Sequence, residues 1–177
     1  GGSVERAKEW QGEVPNSVIP GQFSNPADPD IHRRTTAEEI WRDTEGKVDV
    51  FVSGIGTGGT FTGVGQVLKP RRPALRMVAV EPELSPVLSG GQHKPHVIQG
   101  IGAGFIPEIM DTSLIDEIVT VGNDESIEMA RKLARTEGIP CGISGGAAIA
   151  ATFKLARKGD LAGKMVVTVI PSFAGIG

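Results

Sequence analysis

The stretch VSGIGTGGTFTG (52–63) holds five glycines and three threonines in twelve positions, overlapping the end of the apolar, β-branched run VDVFVS (48–53). The run has the composition of a strand covered on both faces. FTGVGQVL (61–68) after it reads as a helix, stopped by Pro70. A strand that feeds a helix through bare backbone is one unit of a parallel α/β sheet. Glycines let the chain approach a ligand closely, and the first-turn N–H groups point outward at the positive end of the helix dipole. Thr57, Thr60 and Thr62 add hydroxyl donors. The chemistry points to an anion, most simply a phosphate.

Gly54, Gly56 and Gly59 also satisfy the dinucleotide spacing G-x-G-x-x-G, and Glu81 ends the next apolar run 22 residues beyond Gly59. A nicotinamide-dependent oxidoreductase is therefore one reading of the spacing, and a tight turn needing glycine for packing alone is another. Spacing does not choose between them.

Working outward, LRMVAVEP (75–82), IDEIVTV (115–121) and KMVVTVIP (164–171) read as three further buried strands. SVIPGQF (17–23) reads as a short one. A helix is expected from an Asp30 or Thr35-Thr36 cap to about Thr44, and another from Asn123 or Asp124 to Thr136, with Gly138 as its stop. ISGGAAIAATFKLARKG (143–159) is an alanine-rich helix with a basic last turn, and Val4–Trp10 has a short helical pattern. The segment 83–108 is glycine-rich and without periodicity, which in a compact domain marks function. Alternation of strands and helices predicts a doubly wound, mainly parallel sheet with helices on both faces. The ligand site then lies among the loops at the strands' carboxyl ends: 53–60, 82–90, 122–124 and 171–177.

Composition excludes several classes. The 177 residues carry a net charge of −3 spread over both signs, so no basic face for nucleic acid is expected. There is no apolar run of membrane-spanning length and no signal pattern, so the expected location is cytoplasmic. One cysteine, Cys141, excludes an internal disulfide, and its apolar setting is that of a buried structural thiol. His32, His93 and His96 lack metal-ligand spacing, so no metal site is expected.

Six blocks occur in an order that resembles one family: QFSNPADPDIHRRTTAEEIW (22–41), GIGTGGTFTGVG (54–65), VAVEP (78–82), HVIQGIGAGFIP (96–107), GISGGAAIAA (142–151) and VVTVIPS (166–172). They are similar to the cysteine synthases, the O-acetylserine sulfhydrylases, which are pyridoxal-phosphate enzymes of fold type II, a tryptophan synthase β-like architecture. The resemblance implies β-replacement, forming cysteine and acetate from O-acetylserine and sulfide. It implies that Gly56, Thr57, Gly58, Gly59 and Thr60 cup the cofactor phosphate and that Ser172 meets the pyridine nitrogen. Gln22 would bind the substrate α-carboxylate, and Gly100 would line the active-site mouth. Glu81 becomes a strand-end residue rather than a ribose ligand. A homodimer and docking of a serine acetyltransferase tail are the partners that the resemblance implies.

The same resemblance implies a catalytic lysine in an SxKDR-like block and a carboxylate-clamping TSGNTG-like loop. Neither block occurs, and none of the eight lysines has that context. No catalytic residue is therefore named. Residues 1–24 are expected to close a smaller N-terminal domain, with Gly1-Gly2-Ser3 reading as a cloning scar. Residues 25–177 would form the larger phosphate-binding domain, cut short at FAGIG. The chain alone is expected to be inactive, and a truncated binding or regulatory relative is the alternative to an enzyme fragment.

Overall fold

A computed structural model describes residues 2–174. Four strands form one wholly parallel sheet: β1 (Val50–Gly54), β2 (Arg76–Pro82), β3 (Glu117–Val121) and β4 (Val166–Thr168). Their spatial order is β3-β2-β1-β4. The chain thus builds outward from β1 to β3, then returns through two helices to add β4 on the other side of β1. That reversal makes the fold doubly wound and opens a crevice at the carboxyl end of β1.

The apolar runs behave as strands covered twice. Val50, Val52, Val78 and Val80 face one side of the sheet, where Ala147, Ala150, Ala151 and Leu155 of helix α6 (Ile143–Arg157) pack on them. Phe51, Met77 and Ala79 face the other side, against Phe61, Val64 and Leu68 of α4 (Gly59–Arg71). Each large side chain so buried stabilises the fold by about 1.5–3 kcal/mol. Helices α2 (Ala27–Arg34) and α3 (Thr36–Asp43) lie on the α4 side, and α5 (Asn123–Glu137) packs on α6. Residues 83–111 contain no helix or strand, as their composition predicts. Helix α1 (Gly2–Glu13) stands apart: Val4 and Trp10 are exposed, and the helix makes no substantial packing contact with another element.

Several boundaries depart from the sequence expectations. Residues 17–23 form no strand. Val18 is 83% exposed, Pro20 offers no donor, and Gly21 begins a turn in which Ser24 and Asn25 donate to its carbonyl. The single helix expected up to Thr44 is two. The first begins at Ala27, whose N–H donates to the Asn25 side chain, and the break falls at Thr35, with φ −120° and ψ −76°. Pro70 does not stop α4 but sits in its last turn. The carbonyl it leaves without a donor, that of Gln66, lies on an exposed stretch where water can reach it. Helix α5 is capped one residue early, by Gly122, whose N–H donates to Glu125 at 3.2 Å. The Asn123 side chain instead accepts from Val97 N–H. Strand β4 spans only Val166–Thr168, half-buried at the sheet edge.

Candidate functional site

Strand β1 ends at Gly54, and α4 begins at Gly59 after a left-handed Gly58 at φ +85°. Between them the backbone N–H groups of Gly56, Thr57 and Gly58, and that of Thr60 beyond, find no acceptor among the described residues. Four donors thus converge at the positive end of a 13-residue helix, the arrangement that binds an anion. Gly56 admits only glycine, because a Cβ there would stand 2.2 Å from the Gly100 carbonyl oxygen. One on Gly59 would stand 2.0 Å from an Asp28 carboxylate oxygen, so that side chain would have to move.

The threonine hydroxyls are already engaged. Thr57 Oγ1 donates to Asp28 Oδ2 at 2.6 Å and accepts from Gly59 N–H at 3.2 Å. Thr60 Oγ1 meets His32 Nε2 at 3.1 Å, and His32 Nδ1 meets Thr36 Oγ1 at 2.8 Å. Helix α2 therefore braces the loop from behind. Asp28 and His32 are functional neighbours that the sequence reading missed. The signal was present, since four residues apart they share one face of a helix that starts at Ala27.

In front of the loop runs the segment 98–104, anchored by buried Ile98 and Ile101 and tied to the loop by Gly102 N–H donating to the Ile55 carbonyl at 2.9 Å. It carries Gly100 from the side of Gly56 into a groove of about 730 Å³. Cys141, Gly142, Ser144, Ser172 and α5 line the groove's other side. Ser172 is held by its carbonyl, which accepts from Gly142 N–H at 2.9 Å, while its hydroxyl has no partner among the described residues. Gly100 thus lines the groove together with Ser172 and backs onto Gly56, which itself lines the small neighbouring cavity rather than the groove. Gln22 is not brought there. It is exposed in the turn Gly21–Ser24, next to Phe23, whose ring packs edge-on against Phe105 at 4.9 Å between centroids. Cys141 is 4% exposed, and burial pushes its thiol above the ordinary cysteine range, the setting of a structural thiol.

Glu81 decides the dinucleotide reading. It is 2% exposed, and its carboxylate accepts from Leu88 N–H, Ser89 N–H and Ser89 Oγ at 2.8, 3.1 and 2.5 Å. Buried and already bonded three times by its own loop, the carboxylate is not presented to a ribose diol, the contact that a dinucleotide site needs. A small cavity beside it, lined by Gly56 and Gly102–Phe105, holds about 10 Å³, room for one water. Among the described residues no lysine lines the groove, and no cluster of metal-ligating side chains occurs. No helix is long and apolar enough to cross a membrane among them.

The loop offers unpaired amides, and the groove beyond Gly100 offers an unpaired hydroxyl at Ser172. Comparison with known proteins agrees. The family model described as pyridoxal-phosphate dependent enzyme matches residues 1–172. A cysteine synthase of Staphylococcus aureus is 51% identical over 172 residues, which is 97% of this chain and 55% of that protein. The crystal structure of cysteine synthase from Entamoeba histolytica superposes with a TM-score of 0.92 at 43% identity, covering 98% of this chain and 51% of the other. The O-acetylserine dependent cystathionine β-synthase of Helicobacter pylori gives 0.89 at 41% identity, covering 98% and 56%. The chain spans about half the length of the curated relatives it matches.

Proposed function

The chain belongs to the pyridoxal-phosphate dependent enzymes, and from that premise we infer that it is the phosphate-binding part of a cysteine synthase. The observation that carries this reading is the set of unpaired amides at Gly56, Thr57, Gly58 and Thr60, with Gly100, a lining residue of the Ser172 groove, against Gly56. Those amides would hold the cofactor phosphate, with Gly59 and its neighbours allowing close approach. Thr57 and Thr60 contribute backbone, because their hydroxyls serve Asp28 and His32. When bound, pyridoxal phosphate supplies the electron sink for β-replacement on O-acetylserine by sulfide.

The chain's own residues bind and orient. The Ser172 hydroxyl is a neutral partner for the ring nitrogen and carries no charge that would fix a proton there. Gly100 presents bare backbone at the mouth, where a side chain would narrow the entry. Gln22 lies outside the groove here, and its amide would reach a substrate carboxylate only after residues 17–24 shift toward it. With no lysine lining the groove, proton transfer at the substrate carbon has no agent among the described residues. Activity therefore belongs to the full-length protein, and this chain by itself binds without turnover.

Residues 1–24 are proposed to be the end of a smaller N-terminal domain and residues 25–177 to form the larger one. The unpacked α1 supports that division. A homodimer and the acetyltransferase tail are the proposed partners, and a reduced, buried Cys141 suits a cytoplasmic setting.

The test is titration of the chain with pyridoxal phosphate, pyridoxal and NADH, followed by a sulfide-dependent cysteine assay. Phosphate-dependent binding without cysteine formation is expected. Binding of NADH, or indifference to the phosphate, overturns the reading.

A further inference from the structure

Helix α4 already has an anion at its N-terminus, supplied by the protein. Asp28 of α2 places both carboxylate oxygens against Gly59, the first residue of α4, at 2.0 and 2.5 Å from where a Cβ would stand. It accepts a hydrogen bond from the Thr57 hydroxyl at 2.6 Å, and its other oxygen lies 3.6 Å from His32 Nε2. Among the described residues it makes no other ion pair. On α2, Asp30 is paired with Arg33 and Arg34, Arg33 also donates to Gln66 of α4, and His32 is bonded to Thr60 of α4 and Thr36 of α3.

We propose that Asp28 is a resident counter-anion of the phosphate cradle, stabilising the empty loop and weakening the cradle for phosphate. The inference rests on the reading that the cradle holds the phosphate of pyridoxal phosphate. The positive end of a helix is worth most to the first anion it meets, and a second anion nearby is repelled by the first. Asp28 occupies the flank of that end, so an incoming phosphate ester shares the dipole with a fixed negative charge. The same carboxylate fixes Thr57, so the loop keeps its shape in the empty state. Asp28 thus acts as a specificity and positioning residue, setting how tightly the loop takes a doubly charged group.

The two roles separate in Asp28→Asn, where the amide oxygen still accepts from Thr57 but the charge is gone. Titration calorimetry with pyridoxal phosphate, inorganic phosphate and pyridoxal, together with the melting temperature of the ligand-free chain, reads both. The phosphate ligands are expected to bind about three- to tenfold tighter to the variant at low salt, the gain shrinking as salt is added, with pyridoxal unchanged. The ligand-free variant should melt about 1–3 °C lower. A merely structural Asp28 would give lower melting and weaker binding together, and that result, or unchanged affinity, overturns the proposal. Should the Asn variant not fold, Asp28→Ser, neutral and still able to accept from Thr57, must change affinity in the same direction. If neither wild type nor variant distinguishes pyridoxal phosphate from pyridoxal, the cradle reading itself falls and the proposal with it.

Discussion

The carbonyl oxygen of Gly100 lies over the α-carbon of Gly56, 2.2 Å from the point a Cβ there would occupy. Two glycines 44 residues apart thus close one wall of the candidate site, and Gly56 cannot gain a side chain unless the Gly100 backbone moves. Gly56→Ala should force the segment 98–104 away from the loop. The expected outcome is a stability loss of about 1–3 kcal/mol and at least a tenfold loss of pyridoxal phosphate affinity. Denaturant melts and a ligand titration check the pair. An alanine variant that binds as well as wild type would show that the wall is not needed.

Ser172 is predicted to be dispensable for folding, because its hydroxyl has no partner among the described residues. Ser172→Ala should leave stability within about 0.5 kcal/mol of wild type. Its effect should appear in the absorbance of bound pyridoxal phosphate, which reports the ring nitrogen's surroundings. Identical spectra for the two proteins would remove Ser172 from the site.

Glu81 should behave as a structural anchor. Glu81→Ala strands the N–H groups of Leu88 and Ser89 and the Ser89 hydroxyl, at a cost of about 2–4 kcal/mol. NADH fluorescence titrations should be flat before and after the change. A wild-type NADH signal that the variant loses would restore the dinucleotide reading.

Acid should destabilise the fold through Asp49. Its carboxylate accepts from Met165 N–H at 2.8 Å and pairs with Arg72, which together hold it below the ordinary carboxylate range. A carboxyl lowered in the folded state contributes its full stability above the unfolded value, about pH 4, and loses it as pH falls through the folded value. Stability is therefore expected to be level from neutral pH to about pH 4 and to decline below. Asp49→Asn should flatten that decline in pH-dependent melts; an unchanged acid limb would assign it to other carboxylates, of which Asp30, Glu38 and Asp160 are also lowered.

Cys141 should resist thiol reagents. Burial pushes its pKa up, lowering the thiolate fraction, and restricts access, so labelling of the native chain at pH 8 is expected to be at least about a hundredfold slower than in denaturant. Comparable rates would mean that residues 140–144 open readily.

Much of the molecule was legible in the residue pattern. The four sheet strands are continuous β-branched runs, and burial on both faces writes itself into composition without any knowledge of neighbours. The glycine loop was equally legible, because bare amides at a helix start are a local property of strand, turn and helix. The failures were local patterns that tertiary context overruled. Residues 17–23 have the composition of a strand but no neighbour to pair with, and α2 starts earlier than its acidic residues suggested because the Asn25 side chain caps it.

The chain's sequence by itself determined the parallel α/β layout, the phosphate-type loop and its resemblance to the cysteine synthases. Only the tertiary structure decided what the loop's neighbours do. Asp28 reaches Thr57 across 29 positions, Glu81 is consumed by its own following loop, and Gln22 stays outside the groove. The physical reason is that a hydrogen bond saturates its donor and acceptor. Whether a carboxylate or hydroxyl remains free for a ligand depends on which partner the fold brings first, and no local periodicity records that.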